Sequence, residues 1–173
     1  RRSTVAASSS GSSIPRASSA SAARLPGPPA LVSTAVRRLP GGGPVPGTAV
    51  SVGNPHLVLW LASSHDVAAA ELERFGPVLE NDPRFPERMN VHVAAARAAD
   101  DLVMRSWERG SGLTRACGSG AVAVYAVARR AGNAAATAQV HMPGGAVSLA
   151  EAAGGDLVLI GPATEVFRGV WRL

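Results

Sequence analysis

"WERGSGLTRACGSGA", residues 107–121, holds the single cysteine of a 173-residue chain. An acid–base pair, Glu108-Arg109, is followed by the flexible Gly110-Ser111-Gly112, and small residues continue past Cys117. From Gly118 the sequence runs "GSGAVAVYAVARRA" (118–131), Ala-rich and ending at Gly132-Asn133, a pattern that predicts a helix starting beside the cysteine and stopping at a glycine. Only its last turn is charged. A helix with so little polar face is a buried one, so the flanking sequence must wrap it.

The flanks read as strands. Upstream, "NVHVAAA" (90–96) and "DLVMRSW" (101–107) alternate apolar and polar positions across the short "RAADD". Farther upstream, "TAVSV" (48–52) and "HLVLWLA" (56–62) flank the tight bend "GNP". Between these pairs "DVAAAELERFGPVLE" (66–80) has helical spacing at Val67, Ala70, Leu72 and Phe75, with Asp66 as N-cap and Gly76-Pro77 expected to end or kink it. Downstream, "AQVHM" (138–142), "AVSLAEA" (146–152), "DLVLIG" (156–161) and "EVFRGVWRL" (165–173) are further strands joined by "PGG", "GGD" and "GPAT". Many short strands with two helices, and no repeating βαβ unit, make the fold class α+β: a mixed, mostly antiparallel sheet rolled around a central helix.

Composition divides the chain. Residues 1–47 contain 10 Ser, 8 Ala, 7 Pro, 6 Gly and 6 Arg with no acid and no aromatic, too little apolar surface to offset the entropy of ordering. They read as a disordered low-complexity or misjoined segment, and residues 48–173 as the folded lobe. The formal net charge of +5 follows the same division, with +6 on the first 47 residues and −1 on the remainder. Every basic residue is Arg, and a basic groove with interleaved aromatics is missing, so nucleic acid is not an expected partner. No apolar run approaches the roughly 18 residues of a membrane span. A lone cysteine forms no internal disulfide, and nothing demands an oxidising compartment. The expected location is the cytoplasm, or a plastid if the Arg- and Ser-rich start is a transit-peptide remnant.

The chemistry centres on Cys117. A helix N-terminus lowers a thiol pKa from about 8.5 into the range of roughly 3.5–7.5, because unpaired amides point at the sulfur. Gly118, Ser119 and Gly120 carry little or no side chain, so their amides can also approach an anion. Thiolate and anion in one small site suit proton abstraction next to a carboxylate, whose developing charge the same amides stabilise. Arg109 could grip a carboxylate through two parallel hydrogen bonds. Each residue also has a plainer reading: Cys117 as a small buried hydrophobe, Glu108-Arg109 as a surface ion pair, Asn54 and His56 in "GNPH" as turn and core residues, Asn90 as a cap at a strand start. The histidines at 56, 65, 92 and 141 and the cysteine show no ligand spacing, so no metal is expected, and "GSG" and "PGGA" are too weak for a nucleotide site.

In order along the chain, "VSVGNPHLVL", "FPERMNVHVA", "RSWERGSGLTRACGSGA", the "PGG" turn and "LIGPATEVFRG" resemble the C-terminal half of diaminopimelate epimerase, over about residues 48–170. "WERG" followed by "ACGSG" is the most specific part. The resemblance implies an isomerase of lysine and cell-wall synthesis, independent of pyridoxal phosphate and of any other cofactor. Such enzymes convert LL- to meso-diaminopimelate with two cysteines on opposite faces of one α-carbon. It makes Cys117 one of the two, with Gly118 and Ser119 amides on the reacting carboxylate. It places Asn54, Asn90 and Arg109, with Glu108, around the substrate, chiefly at its distal end, and it gives His56 and Glu108 the tuning of the cysteine pKa values. In the family the second cysteine lies in a "CGNGxR" motif on an N-terminal lobe. This chain has one cysteine, so a complementing lobe, or a second copy of the chain, is the partner the resemblance calls for. A lone lobe that binds a partner or an amino-dicarboxylate without turnover, or a related proline-racemase-like isomerase, is the alternative.

Overall fold

The structure is a computed structural model and describes residues 20–25, 30–38 and 44–171. Strands β1 (Ala20–Leu25), β2 (Ala30–Arg38), β3 (Pro44–Ser51) and β4 (Pro55–Trp60) precede helices α1 (Ser64–Ala69) and α2 (Leu72–Glu80). There follow β5 (Asn90–Ala98), β6 (Asp101–Glu108), β7 (Gly112–Thr114), helix α3 (Gly118–Arg130), β8 (Thr137–Met142), β9 (Gly145–Glu151) and β10 (Leu157–Pro162). The strands form one sheet in the order β1-β10-β9-β8-β6-β5-β4-β3-β2, with β7 pairing β6 off this path. β4 with β5 and β6 with β8 are parallel, and the remaining pairs are antiparallel.

Period-two alternation sorts the side chains onto two faces. On one, Val58, Ala94, Leu102, Met104, Val140 and Leu149 pack on Ala121 to Ala128 of α3. On the other, Leu57, Leu59, Val91, Val93 and Ala95 pack on Val67, Leu72, Phe75 and Leu79 of α1 and α2. Helix α3 touches β3 to β6 on one arm of the sheet and β8 to β10 on the other, so the sheet is rolled around it. Tyr125, fully buried at its centre, donates its hydroxyl proton toward the carbonyls of Ala136 (2.7 Å) and Ala135 (3.2 Å). Burial of each such large side chain contributes about 1.5–3 kcal/mol. The expected α+β class and central helix describe this architecture, and among the described residues no helix is long and apolar enough to cross a membrane.

Four local expectations are corrected. The helix expected over residues 66–80 is two helices, capped by Ser63 rather than Asp66: the Ser63 hydroxyl accepts the Asp66 amide at 3.2 Å. The break at Ala70 is held by Arg105, whose guanidinium donates to the carbonyls of Val67, Ala68 and Ala70. Gly76-Pro77 does not end α2, which runs on to Glu80. Gly76 lies so close to Trp107 that a Cβ there would sit 2.6 Å from the indole, and the burial of Phe75 and Leu79 holds the turn despite the missing proline N–H. "EVFRGVWRL" is no strand over residues 165–171; its backbone joins no ladder, and residues 172 and 173 lie outside the described ones. Finally, residues 20–25 and 30–38, expected to be disordered, are strands, because β10 and β3 offer open edges with which they pair antiparallel. The rest of the segment before Pro44 lies outside the described residues.

Candidate active site

The apolar face that grips α3 turns polar at one end. Alternation brings His56 of β4, Asn90 and His92 of β5, and Ser106 and Glu108 of β6 to that face, with His56 beside Asn90 and His92 opposite Ser106 in the ladders. The N-terminus of α3 points into the same place. Gly120 lets the helix approach: a Cβ on it would stand 2.5 Å from His92 Cε1 and 3.0 Å from Cys117 Sγ.

Cys117 is buried, 4% exposed, at the N-cap of α3. Its thiol donates to Glu108 Oε2 at 3.1 Å, and Ser119 Oγ lies 3.7 Å from the sulfur. Burial first, and then the Glu108 carboxylate, push the thiol from its ordinary 9.0 up to about 11, against the pull of the Gly120 amide and the Ser119 hydroxyl. The expected depression is therefore reversed. The helix amides do act on the sulfur, but desolvation and a negative neighbour outweigh them.

The other expected residues converge, with divided tasks. Asn54 sits in the β3–β4 turn, where Gly53 takes a φ of 102° that favours glycine. Its Oδ1 is 2.9 Å from His56 Nε2. Asn90 donates from Nδ2 to the Pro55 carbonyl (2.9 Å) and accepts the Arg109 amide at Oδ1 (3.0 Å), so its amide ties β4 to the turn after β6. The exposed Arg109 side chain donates from Nη1 to the Glu87 carbonyl at 2.5 Å. Gly118 is exposed and Ser119 half-buried at the start of α3. His56 is fully buried with both ring nitrogens engaged, Nε2 by Asn54 and Nδ1 by His92 Nε2 at 2.8 Å. Burial lowers it from 6.5 to about 4, with Glu108 pulling up and Arg109 pulling down.

Sequence reasoning missed three residues here. His92 and Ser106 extend the His56 contact, with His92 Nδ1 and Ser106 Oγ 2.9 Å apart; their signal was the alternation of "NVHVAAA" and "DLVMRSW", which puts both on the helix side. Glu80 is the third. Its buried carboxylate accepts Trp107 Nε1–H (2.6 Å), the Gly110 amide (2.9 Å) and the Arg88 guanidinium. Burial pushes this carboxyl up, yet the three donors together hold it below the usual carboxylate range. Glu80 thereby pins the turn that presents Glu108 and Arg109. Among the described residues no group of three or more His, Cys, Asp or Glu side chains converges as metal ligands would.

The rolled sheet around a helix is a fold shared with solved structures. A solved probable proline racemase from Agrobacterium radiobacter K84 shares it at a TM-score of 0.56 and 14% identity, over 78% of this chain and 48% of that one. The family can be stated more narrowly. The sequence pattern of the family described as diaminopimelate epimerase matches residues 48–166, and the chain belongs to that family. It is 45% identical over 122 residues to the diaminopimelate epimerase of Zymomonas mobilis, and 46% identical over 123 residues to that of Sphingopyxis alaskensis. These matches cover 70% and 71% of this chain but only 44% and 45% of the relatives, so the chain spans less than half the length of the curated relatives it matches.

Proposed function

We propose that this chain supplies one acid–base face of a diaminopimelate epimerase, with Cys117 moving a proton at the α-carbon between the LL and meso forms. The observation that carries the reading is the thiol of Cys117 at the mouth of α3, 3.1 Å from the Glu108 carboxylate, in a chain of this family.

A thiol with a pKa of about 11 rests protonated at neutral pH, so on this face the resting enzyme holds a proton donor. When a proton leaves the far side of the α-carbon, the thiol delivers its own to the near side and inverts the centre. In the reverse direction the sulfur must first lose its proton; Glu108 stands within reach to take it, and the resulting thiolate is a strong base. The Gly120 amide and Ser119 hydroxyl favour that thiolate. Amides of Gly118 and Ser119 suit the α-carboxylate, where charge accumulates as the carbanion forms. Asn54, Asn90 and Arg109 suit the distal amino-carboxylate end, with Asn90 acting through the backbone it holds.

Inversion needs a second acid–base group on the opposite face, and this chain has one cysteine. The partner group would come from a complementing lobe or a second copy. Alone, the chain is expected to exchange the α-proton slowly with retention and to epimerise negligibly. The measurement is solvent deuterium entry at the α-carbon of LL- and meso-diaminopimelate, for wild type and Cys117→Ala. Slow exchange that vanishes in the variant supports the assignment; equal exchange in both removes Cys117 from it, and rapid inversion by wild type refutes the need for a second lobe.

A further inference from the structure

The contacts of Glu80 close a ring around Arg109. Glu80, 4% exposed at the end of α2, accepts the Gly110 amide (2.9 Å) and the Arg88 guanidinium on one carboxylate oxygen, Oε1. Its other oxygen, Oε2, accepts the Trp107 indole N–H at 2.6 Å. Arg109 precedes Gly110, and its guanidinium donates from Nη1 to the carbonyl of Glu87, the residue before Arg88. The path from Glu80 through Gly110, Arg109, Glu87 and Arg88 therefore returns to the oxygen it left. Every donor along it is an N–H and every acceptor a carboxylate or carbonyl oxygen, so no choice of tautomer or amide orientation enters. Among the described residues Arg88 is the one non-glycine with a positive φ, 62°, a backbone that persists only where its surroundings over-determine it. Here the Phe85 carbonyl takes its amide (2.8 Å), the Glu80 carbonyl takes that of Met89 (3.1 Å), and the Glu80 carboxylate takes its guanidinium.

We propose that Glu80 is a positioning residue for carboxylate recognition. Through Gly110 it fixes the backbone end of Arg109, and through Arg88 it fixes the Glu87 carbonyl that holds the guanidinium, so the exposed side chain is kept in one pose. The Glu87 carbonyl engages Nη1 alone, which leaves the Nε and Nη2 hydrogens as a parallel pair for the two oxygens of a carboxylate. A loose arginine loses rotamer freedom when it grips a ligand, and one already held does not. Helix α2 packs on the sheet face opposite that of α3, so the effect of Glu80 on a ligand beside Cys117 passes through the turn. The identity of the carboxylate rests on the diaminopimelate reading; the ring does not.

The experiment is 15N relaxation of the Arg109 Nε–H in the full chain, with the signal assigned by its loss in Arg109→Ala, followed by calorimetry with diaminopimelate. In wild type this N–H is expected to be as ordered as rigid backbone, with an order parameter of about 0.85. Glu80→Met keeps the length and removes both acceptors, and the order parameter is expected to fall below about 0.6. Arg88→Asn tolerates the positive φ, leaves the buried carboxylate in place and breaks the ring at its exposed side, so it is expected to free the arginine as well. Either variant should weaken diaminopimelate binding by about two- to tenfold, the cost of immobilising one long side chain. Neither should weaken it further when Arg109 is already alanine. An Arg109 that is mobile in wild type overturns the proposal without any variant, and so does one that stays ordered in Arg88→Asn. Equal weakening with and without Arg109 also overturns it, since a purely structural role acts in both backgrounds. If wild type gives no heat with diaminopimelate while Arg109 is ordered and both variants free it, the substrate assignment fails and the held arginine stands.

Discussion

The proton on Cys117 is governed by two residues placed by different elements. Glu108 ends β6 and Gly120 lies in the first turn of α3, and they act on the sulfur in opposite directions. Replacing Glu108 by Gln keeps the shape and removes the charge, so the thiol pKa is expected to fall from about 11 toward 9.0, with burial still holding it above. Each unit is a factor of ten in thiolate, and alkylation of Cys117 by iodoacetamide at pH 8 is expected to quicken by roughly tenfold. An unchanged rate would detach the carboxylate from the sulfur. The sign for stability follows from the raised value: the protonated thiol favours the fold fully below pH 9.0, and that contribution is lost as pH rises through about 11. At this scale the sequence was legible in identity and misleading in charge. The residues of "GNPH", "WERG" and "ACGSG" meet, but a helix start predicts a depressed thiol only when the sulfur stays solvated, and depth is not written in a local motif.

At the scale of elements, the site depends on how closely α3 descends onto β5. Gly120 is the point of closest approach, and the atoms a Cβ would meet there are the buried His92 ring and the Cys117 sulfur. Gly120→Ala is expected to cost about 1–3 kcal/mol in denaturant unfolding, the range for overpacking, although alanine is the better helix former by up to about 1 kcal/mol. A stabilised variant would mean that the helix rides higher than described. The same descent explains what the sequence hid. Ala and Val spacing revealed α3 to within a residue of its end, and alternation revealed β5 and β6. The break between α1 and α2 depends on Arg105, a residue on β6 that crosses to three carbonyls of α1 and its C-terminal end, and such long-range capping leaves no mark in the helix's own sequence. Glu80 was equally silent, since a glutamate ending an amphipathic helix reads as solvated until the indole of Trp107 and the Gly110 amide are seen to converge on it.

Taken as a whole, the molecule has a well-filled interior and an unfinished exterior. Both faces of the central strands are covered, one by α3 and the other by α1 and α2. Beyond β10, however, Val166, Phe167, Val170 and Trp171 stand 84–90% exposed on a stretch that joins no ladder. The strand expected there does not form, although its β-branched and aromatic side chains favour a pleated, half-buried surface; among the described residues no neighbouring strand stands beside it. Four large apolar side chains exposed in six residues are uncommon on a soluble monomer and mark a surface that associates. Sedimentation of the purified chain is accordingly expected to show a mass that climbs with concentration. Phe167→Ser with Trp171→Ser should bring it back toward the monomer while leaving Cys117 alkylation unchanged, because neither residue is hydrogen-bonded to the site. A wild-type chain that stays monomeric at high concentration would show that these side chains are covered by the chain's own remaining residues instead.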